Sequence, residues 1–259
     1  MKYIFFLLIC LAAYISYRKK WLTISGSLLS VIVGSLIMFG VGLKGIVILG
    51  AFFVSSSLVS QRRKRIANYY GIEQKSSQRD GVQVLANGGV AALLSTLYMT
   101  YPTEALWFGI IGDFSCATSD TWASEIGPLS SKRPISIRTM KSVTPGTSGA
   151  ISVLGTIAAL VGSAFIVTIS FFLDRNISFL DLLILSMIGF FGQWIDTILG
   201  ALKQRKLKCT KCGQLTEQKV HCEMKTVHQS GWYWLQNDAV NFIAISFSAI
   251  LAVLYFEIR

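Results

Sequence analysis

From Asp113 to Gly149 the chain reads DFSCATSDTWASEIGPLSSKRPISIRTMKSVTPGTSG, in which carboxylates, cations and a glycine turn follow one another. Asp120, Ser124 and Glu125 come at the exit of an apolar run. Lys132, Arg133, Arg138 and Lys141 follow in a basic loop, and Pro145-Gly146-Thr147-Ser148-Gly149 leads into the next apolar run. Phosphoryl transfer uses such parts. It needs Mg2+ held by one or two carboxylates, with cations and backbone N–H groups on the remaining phosphate oxygens. Gly146 and Gly149, with Thr147 between them, let the backbone approach an anion, and a following helix start adds its positive dipole end. Spacing alone equally permits a Pro-Gly turn capped by Thr147 or Ser148, and the cations equally fit a membrane-surface charge bias.

Other polar residues recur at helical spacing, where positions three, four and seven apart share a face. Asp80, Gln83 and Asn87 form one stripe, and Asp113, Asp120 and Ser124 a second. Gly189, Gln193, Asp196, Gly200 and Lys203 form a third, and Asn237 pairs with Asn241 beside Asp238. An acid at the centre of a membrane helix costs about 2.5–3.5 kcal/mol, so Asp120 and Asp196 are expected to hold a cation or a proton. Asp113, deeper, is expected to be protonated or paired with an arginine. Gln83 or Asn241 alone reads as hydrogen-bond glue between helices. Glu125 lies about 140° round the helix from Asp120 and joins it only if the helix breaks near Gly127-Pro128.

A third group is metal-like. Cys209-Thr-Lys-Cys212-Gly213 is followed by His221-Cys222 and then His228, a spacing suited to tetrahedral zinc. The expected ligands are Cys209, Cys212, Cys222 and His228, with His221 as the alternative ligand. Four protein ligands describe a structural ion, and redox use of the CxxC is the rival. Cys10 and Cys116 fall in apolar runs and read as buried thiols.

The carrier of these groups follows from composition. Of 259 residues 53% are hydrophobic and only 14% charged, with mean hydropathy +0.56, whereas soluble domains carry about 25% charged residues. The expected fold class is therefore all-α: a polytopic membrane helix bundle with about six to eight spans. It forms a single membrane domain over 1–259, with a small zinc-binding loop at 203–236 inserted between the last two helices. Apolar runs place helices near 3–17, 23–42, 44–60, 82–100, 104–119, 149–173, 179–202 and 238–257. The first run is followed directly by Arg18-Lys19-Lys20 and reads as a retained helix rather than a cleaved signal.

The loops after the first, third, fifth and seventh runs hold 3, 6, 4 and 7 Lys or Arg, 20 of the chain's 24. The positive-inside rule makes these loops cytoplasmic and, with eight spans, puts both termini outside a cell membrane. This bias accounts for the net charge of +11 without nucleic acid, for which no binding pattern exists. Gly40-Val41-Gly42-Leu43-Lys44-Gly45 fits GxGxxG but follows no strand, so it reads as an interhelical turn.

The assembled residues resemble a family of polytopic membrane proteins that includes the plant phytyl-phosphate kinase, vertebrate transmembrane relatives and many bacterial and archaeal members. The resemblance rests on Arg79-Asp80-x-x-Gln83-Val84-Leu85-Ala86-Asn87-Gly88-Gly89 and on Ser119-Asp120-Thr121-x-Ala123-Ser124-Glu125-Ile126-Gly127. It continues through Thr139-x-Lys141-x-Val143-x-Pro145-Gly146-Thr147-x-Gly149, Asp196-x-x-x-Gly200-Ala201-x-x-Gln204 and Asn237-Asp238-x-Val240-Asn241. It implies a membrane-embedded kinase of an isoprenyl monophosphate, using a nucleoside triphosphate at the cytoplasmic face.

On that reading Asp120, Glu125, Asp196 and Asp238 are the catalytic acids, with Asp120 and Glu125 on Mg2+. Lys132, Arg133, Arg138, Lys141 and the Gly146–Gly149 turn hold phosphates, with Asn87, Ser124, Asn237 and Asn241 beside them. The partners are then the bilayer, an isoprenoid phosphate and a nucleoside triphosphate, with a homodimer left open. The rival is a transporter or flippase of a polyprenyl phosphate or another anionic lipid, because polar residues at helix breaks also suit transport.

Overall fold

A computed structural model describes residues 2–69, 78–213 and 215–259. Among them are eight helices: α1 (Lys2–Arg18), α2 (Ile24–Gly40), α3 (Leu43–Tyr69), α4 (Gly81–Thr100), α5 (Glu104–Ile126), α6 (Val153–Leu173), α7 (Phe179–Leu202) and α8 (Asn237–Ile258). Short turns join α1 to α2, α2 to α3, α4 to α5 and α6 to α7. The connection at 70–77, which carries part of the third group of cations, lies outside the described residues.

α5 is the axis of the bundle. It packs against α3, α4, α6, α7 and α8, and every residue from Trp107 to Ser119 is buried. Among the described residues five helices are long and apolar enough to cross a membrane, at Leu43–Ile66, Gly81–Thr100, Val153–Leu173, Phe179–Leu202 and Asn237–Ile258. α5 is long enough but not apolar enough, because its side chains face protein rather than lipid. Hydroxyls fasten the helices around it: Ser119 donates to the Ala159 carbonyl at 2.9 Å, and Ser163 to that of Ser186 at 2.6 Å. Such bonds, with small residues at the contacts, replace the hydrophobic drive that lipid cannot supply.

Three helix ends differ clearly from the apolar-run limits, and the first is that of α5, which runs to Ile126 rather than 119. α3 continues to Tyr69 instead of stopping near 60, since Gln61, Arg62, Arg63, Lys64 and Arg65 are good helix formers once outside the bilayer. α6 begins at Val153 rather than 149. Ser152 caps it by accepting from the Gly155 N–H at 3.1 Å, and the residues ahead form a two-stranded ladder, β1 (Ile135–Ser136) with β2 (Ala150–Ile151). The glycine turn thus precedes a strand, not a helix N-terminus.

The two ends of the bundle are unlike. At one end Lys44 bonds Asp174 at 2.9 Å, and Arg259 and Tyr255 both reach the Asp181 carboxylate. At the other, the segment between α7 and α8 folds into a four-stranded antiparallel sheet in the order β4 (Leu215–Thr216), β3 (Lys206–Cys209), β6 (Met224–Ser230), β5 (Val220–His221).

Candidate active site and metal knuckle

Where α3, α5 and α7 end and α4 and α8 begin, the protein encloses a cavity of about 920 Å³. Asp120, Glu125, Asp196 and Asp238 all line it, contributed by α5, α7 and α8, together with Asn87, Ser124, Asn237, Asn241, Gly146, Thr147 and Gly149. The glycine turn reaches the cavity because it can lie flat on α7. Gly146 and Gly149 have φ of +85° and +74°, and a Cβ on Gly149 would collide with the Ala201 backbone. Ser148 then donates to the Gln204 side chain at 2.8 Å, and Gln204 donates to Glu217 of the sheet at 2.8 Å. Thr147 is turned inward on its own loop, bonding the Thr144 carbonyl at 2.7 Å.

Each carboxylate has its own surroundings. Glu125 accepts from Ser60 at 2.9 Å and from Arg63 at 3.0 Å. α5 does not break between Asp120 and Glu125; the extension of α3 brings Arg63 across, and the two acids line one cavity from different faces. Asp120 accepts no hydrogen bond from a described residue. Asp196 stands within electrostatic reach of both Asp120 and Glu217. With its amide oriented to satisfy both neighbours, Asn241 donates to Asp196 at 2.7 Å and to the Asn237 carbonyl at 3.1 Å. Asn87 is held by the Gln83 carbonyl at 2.8 Å. Asp80 is not a wall residue: it caps α4 in a reciprocal box with Gln83. Asp113 lies deep on α5 and accepts from the Ala91 backbone N–H at 2.9 Å, without the arginine partner envisaged for it.

The expected cations are not the ones in the wall. Lys132, Arg133, Arg138 and Lys141 are all exposed, the first two ahead of β1 and the last two on the turn that joins β1 to the glycine loop. That turn is closed by Ser136 N–H to the Lys141 carbonyl at 3.0 Å and by Met140 at φ +53°, which points its basic side chains outward. The lining cations are Arg63, Arg79 and Lys206. Burial lowers the pKa of Lys206, aided by the charge of nearby Arg138 and opposed by Glu217.

Glu217 also lines the cavity and has no counterpart in the sequence reading. Five carboxylates therefore face three cations, one of which is already paired to Glu125. An all-oxygen donor set with surplus negative charge suits a hard divalent ion such as Mg2+, which takes one or two protein carboxylates and its remaining ligands from water or phosphate. Asp120 and Asp196, within electrostatic reach of each other, are the residues that could hold it.

The metal knuckle is built by two turns. Gly213 at φ +75° closes the loop from Cys209, whose carbonyl accepts the Gly213 N–H at 3.0 Å. His221 pairs with Met224, leaving Cys222 and Glu223 as a two-residue hairpin turn with φ of +52° and +63°. Such a turn matches the twist of the strands, but non-glycine residues adopt it at a cost. It places His221 and Cys222 against the other two thiols. The ligand atoms of Cys209, Cys212, His221 and Cys222 all lie within 4.8 Å of one another. The His221 Nδ1 is 3.5 Å from the Cys212 sulfur and 3.2 Å from that of Cys222, close to the edge of about 3.6 Å in a zinc tetrahedron.

The Cys212 backbone N–H, more than any other group, lowers the Cys209 thiol to about 6, which readies it as a thiolate ligand. The assignment of His228 is corrected. It sits on β6 beyond the hairpin, its Nε2 3.1 Å from the Gly231 carbonyl and its ring against Tyr233. His221 stands in the cluster alongside Cys222, and the four together could hold a metal ion.

A polytopic helical membrane protein with a polar cavity at one end and a Cys/His knuckle beside it is the class these observations define. The chain belongs to the integral membrane protein DUF92 family, whose model matches residues 7–249. It is 31% identical to Protein PGR of Arabidopsis thaliana, over 93% of this chain and 91% of that one. It is 32% identical to an uncharacterised membrane protein of Methanocaldococcus jannaschii, over 77% and 82%. Protein VTE6, chloroplastic, of Arabidopsis thaliana is 26% identical over 90% of this chain and 65% of its own. No solved structure matches.

Proposed function

We propose that the cavity catalyses phosphoryl transfer from a nucleoside triphosphate to the monophosphate of an isoprenoid lipid, at the cytoplasmic end of the bundle. One observation carries this reading: acids from three separate helices and cations from three other segments line a single cavity at one end of a membrane bundle. The isoprenoid acceptor rests on the motif resemblance, and the side of the membrane on the positive-inside bias.

Mg2+, when bound, would neutralise the donor's phosphates. Asp120 and Asp196 would hold that ion, and Asn241 keeps the Asp196 carboxylate in place. Arg63 and Ser60 fix Glu125 and offset its charge, so that it serves as a wall beside the glycine turn and not as a free ligand. An oxygen of the acceptor monophosphate attacks the terminal phosphorus of the donor. The bond from that phosphorus to the bridging oxygen breaks, and the products are a prenyl diphosphate and a nucleoside diphosphate. The isoprenoid tail stays between helices, where no water competes for it.

The test is to incubate purified protein with Mg2+, terminally labelled nucleoside triphosphate and a panel of prenyl monophosphates, then separate the lipid products. Label in a prenyl diphosphate is the expected result. Tight binding of prenyl phosphates with no label transferred to them under any nucleotide would overturn the reading in favour of transport.

A further inference from the structure

The three cations of the cavity wall are not equivalent. Arg63 is committed to Glu125 and to the Ser124 carbonyl at 3.2 Å. Lys206 reaches the Ala201 carbonyl at 3.4 Å. Arg79 has its guanidinium over the rings of Phe52 and Phe53, at 5.3 and 5.7 Å, and its Nη1 is buried with no hydrogen-bond partner among the described residues.

The backbone leaves Arg79 little freedom. Its N–H donates to the Trp21 carbonyl at 2.9 Å and its carbonyl accepts from Thr23 at 3.0 Å, in a parallel bridge to Leu22. The approach is so close that Gly26 has no room for a Cβ against the Arg79 carbonyl. Burial lowers the pKa of Arg79 to about 10, with the charge of Glu125 opposing the shift. The side chain remains charged at neutral pH, and desolvation leaves it poorly compensated. An unsatisfied buried donor costs free energy that the Glu125 charge and the two ring faces offset only in part.

We infer that Arg79 is the receptor for a phosphate oxygen in this cavity, its fork held open by Phe52 and Phe53 for an anion to complete. The inference rests on the phosphoryl-transfer reading and adds to it the residue that binds phosphate directly. A guanidinium on an aromatic face, with an N–H free, offers two parallel donors to a phosphate, a geometry a lysine cannot copy.

The alternative role for Arg79 is structural, as a counter-charge to Glu125 and a packing piece on α3. The two roles differ in their effect on stability. Binding of inorganic phosphate, Mg2+ with nucleoside triphosphate, a short-chain prenyl monophosphate and phosphatidylglycerol vesicles is measured for wild type, Arg79→Met and Arg79→Lys, alongside the melting temperature of each. We expect Arg79→Met to melt at or above the wild-type temperature while binding at least one phosphate ligand roughly tenfold or more weakly. Arg79→Lys should fall between the two.

Loss confined to the prenyl phosphate makes Arg79 the acceptor's partner, and loss confined to the nucleotide makes it the donor's; either upholds the inference. Unchanged affinity for every probe in Arg79→Met overturns it and leaves the phosphoryl-transfer reading intact. If Arg79→Met does not fold, unchanged affinity in Arg79→Lys has the same force. A wild-type protein that binds none of the phosphates overturns the functional reading itself.

Discussion

Asp120 and Glu125 stand five residues apart on one helix in opposite situations. Glu125 is neutralised by Arg63 and held by Ser60, whereas Asp120 faces the cavity with no hydrogen bond from a described residue. Asp120→Asn should lower turnover by about a hundredfold or more with no fall in melting temperature, because it removes a charge that the protein does not pair. Glu125→Gln should instead cost about 1 kcal/mol of stability, since it strands Arg63. Thermal melts and turnover on the two variants decide this, and equal losses of both properties in both would show the acids to be interchangeable.

The histidines give a second residue-level test. His221→Ala should lose about one equivalent of zinc in elemental analysis, and His228→Ala should keep it. Retention in the first and loss in the second would restore the sequence-based ligand set. Spacing could not separate these two, because the choice depends on a two-residue hairpin that turns His221 inward and carries His228 along β6.

At the scale of elements, the helices were legible because lipid-facing surfaces must be apolar over a set length. The same rule hid what the site needed. It ended α3 at the membrane edge, so Arg63 read as one of several loop charges rather than a side chain held over Glu125. Nor does apolarity reveal that α5, among the least apolar of the long helices, is the axis. The reason is that a helix enclosed by five others is solvated by protein.

The sheet between α7 and α8 was legible as a metal loop but not as a wall. Lys206, Leu215, Thr216, Glu217 and Gln218 all line the cavity, and the Ser148–Gln204–Glu217 chain ties the sheet to the glycine turn. Zinc removal should therefore abolish turnover and phosphate binding while leaving helical circular dichroism intact, and zinc should restore both. A chelated protein that still turns over would make the sheet an appendage. Gln204→Ala, which cuts the chain without touching a metal ligand, should reproduce part of that loss.

The whole molecule is polar in the geometric sense: one end holds the cavity, and the other is closed by ion pairs. The end of α8 lies at the closed end, where Arg259 reaches Asp181 at the start of α7. If the cavity is cytoplasmic, a phosphatase fused after Arg259 is active and a fluorescent protein fused there is dark; the reverse pattern would put the site outside.

That closed end also predicts a pH dependence. Burial pushes the Asp174 carboxyl up, but the Lys44 ammonium and the Asn176 N–H more than offset it and hold it below the usual range. A folded value below the unfolded one, about 3.9, gives stability that is fully present above that pH. It is lost as pH falls through the folded value. Lys44→Met removes the partner and leaves a carboxyl governed by burial. The melting temperatures of wild type and Lys44→Met should differ at pH 7, by an amount corresponding to ~1 kcal/mol for a partly exposed pair. They should converge as pH drops below about 4. A difference that persists unchanged into acid would mean that Lys44 acts through its position over the Trp107 ring, 4.5 Å away, and not through the carboxylate.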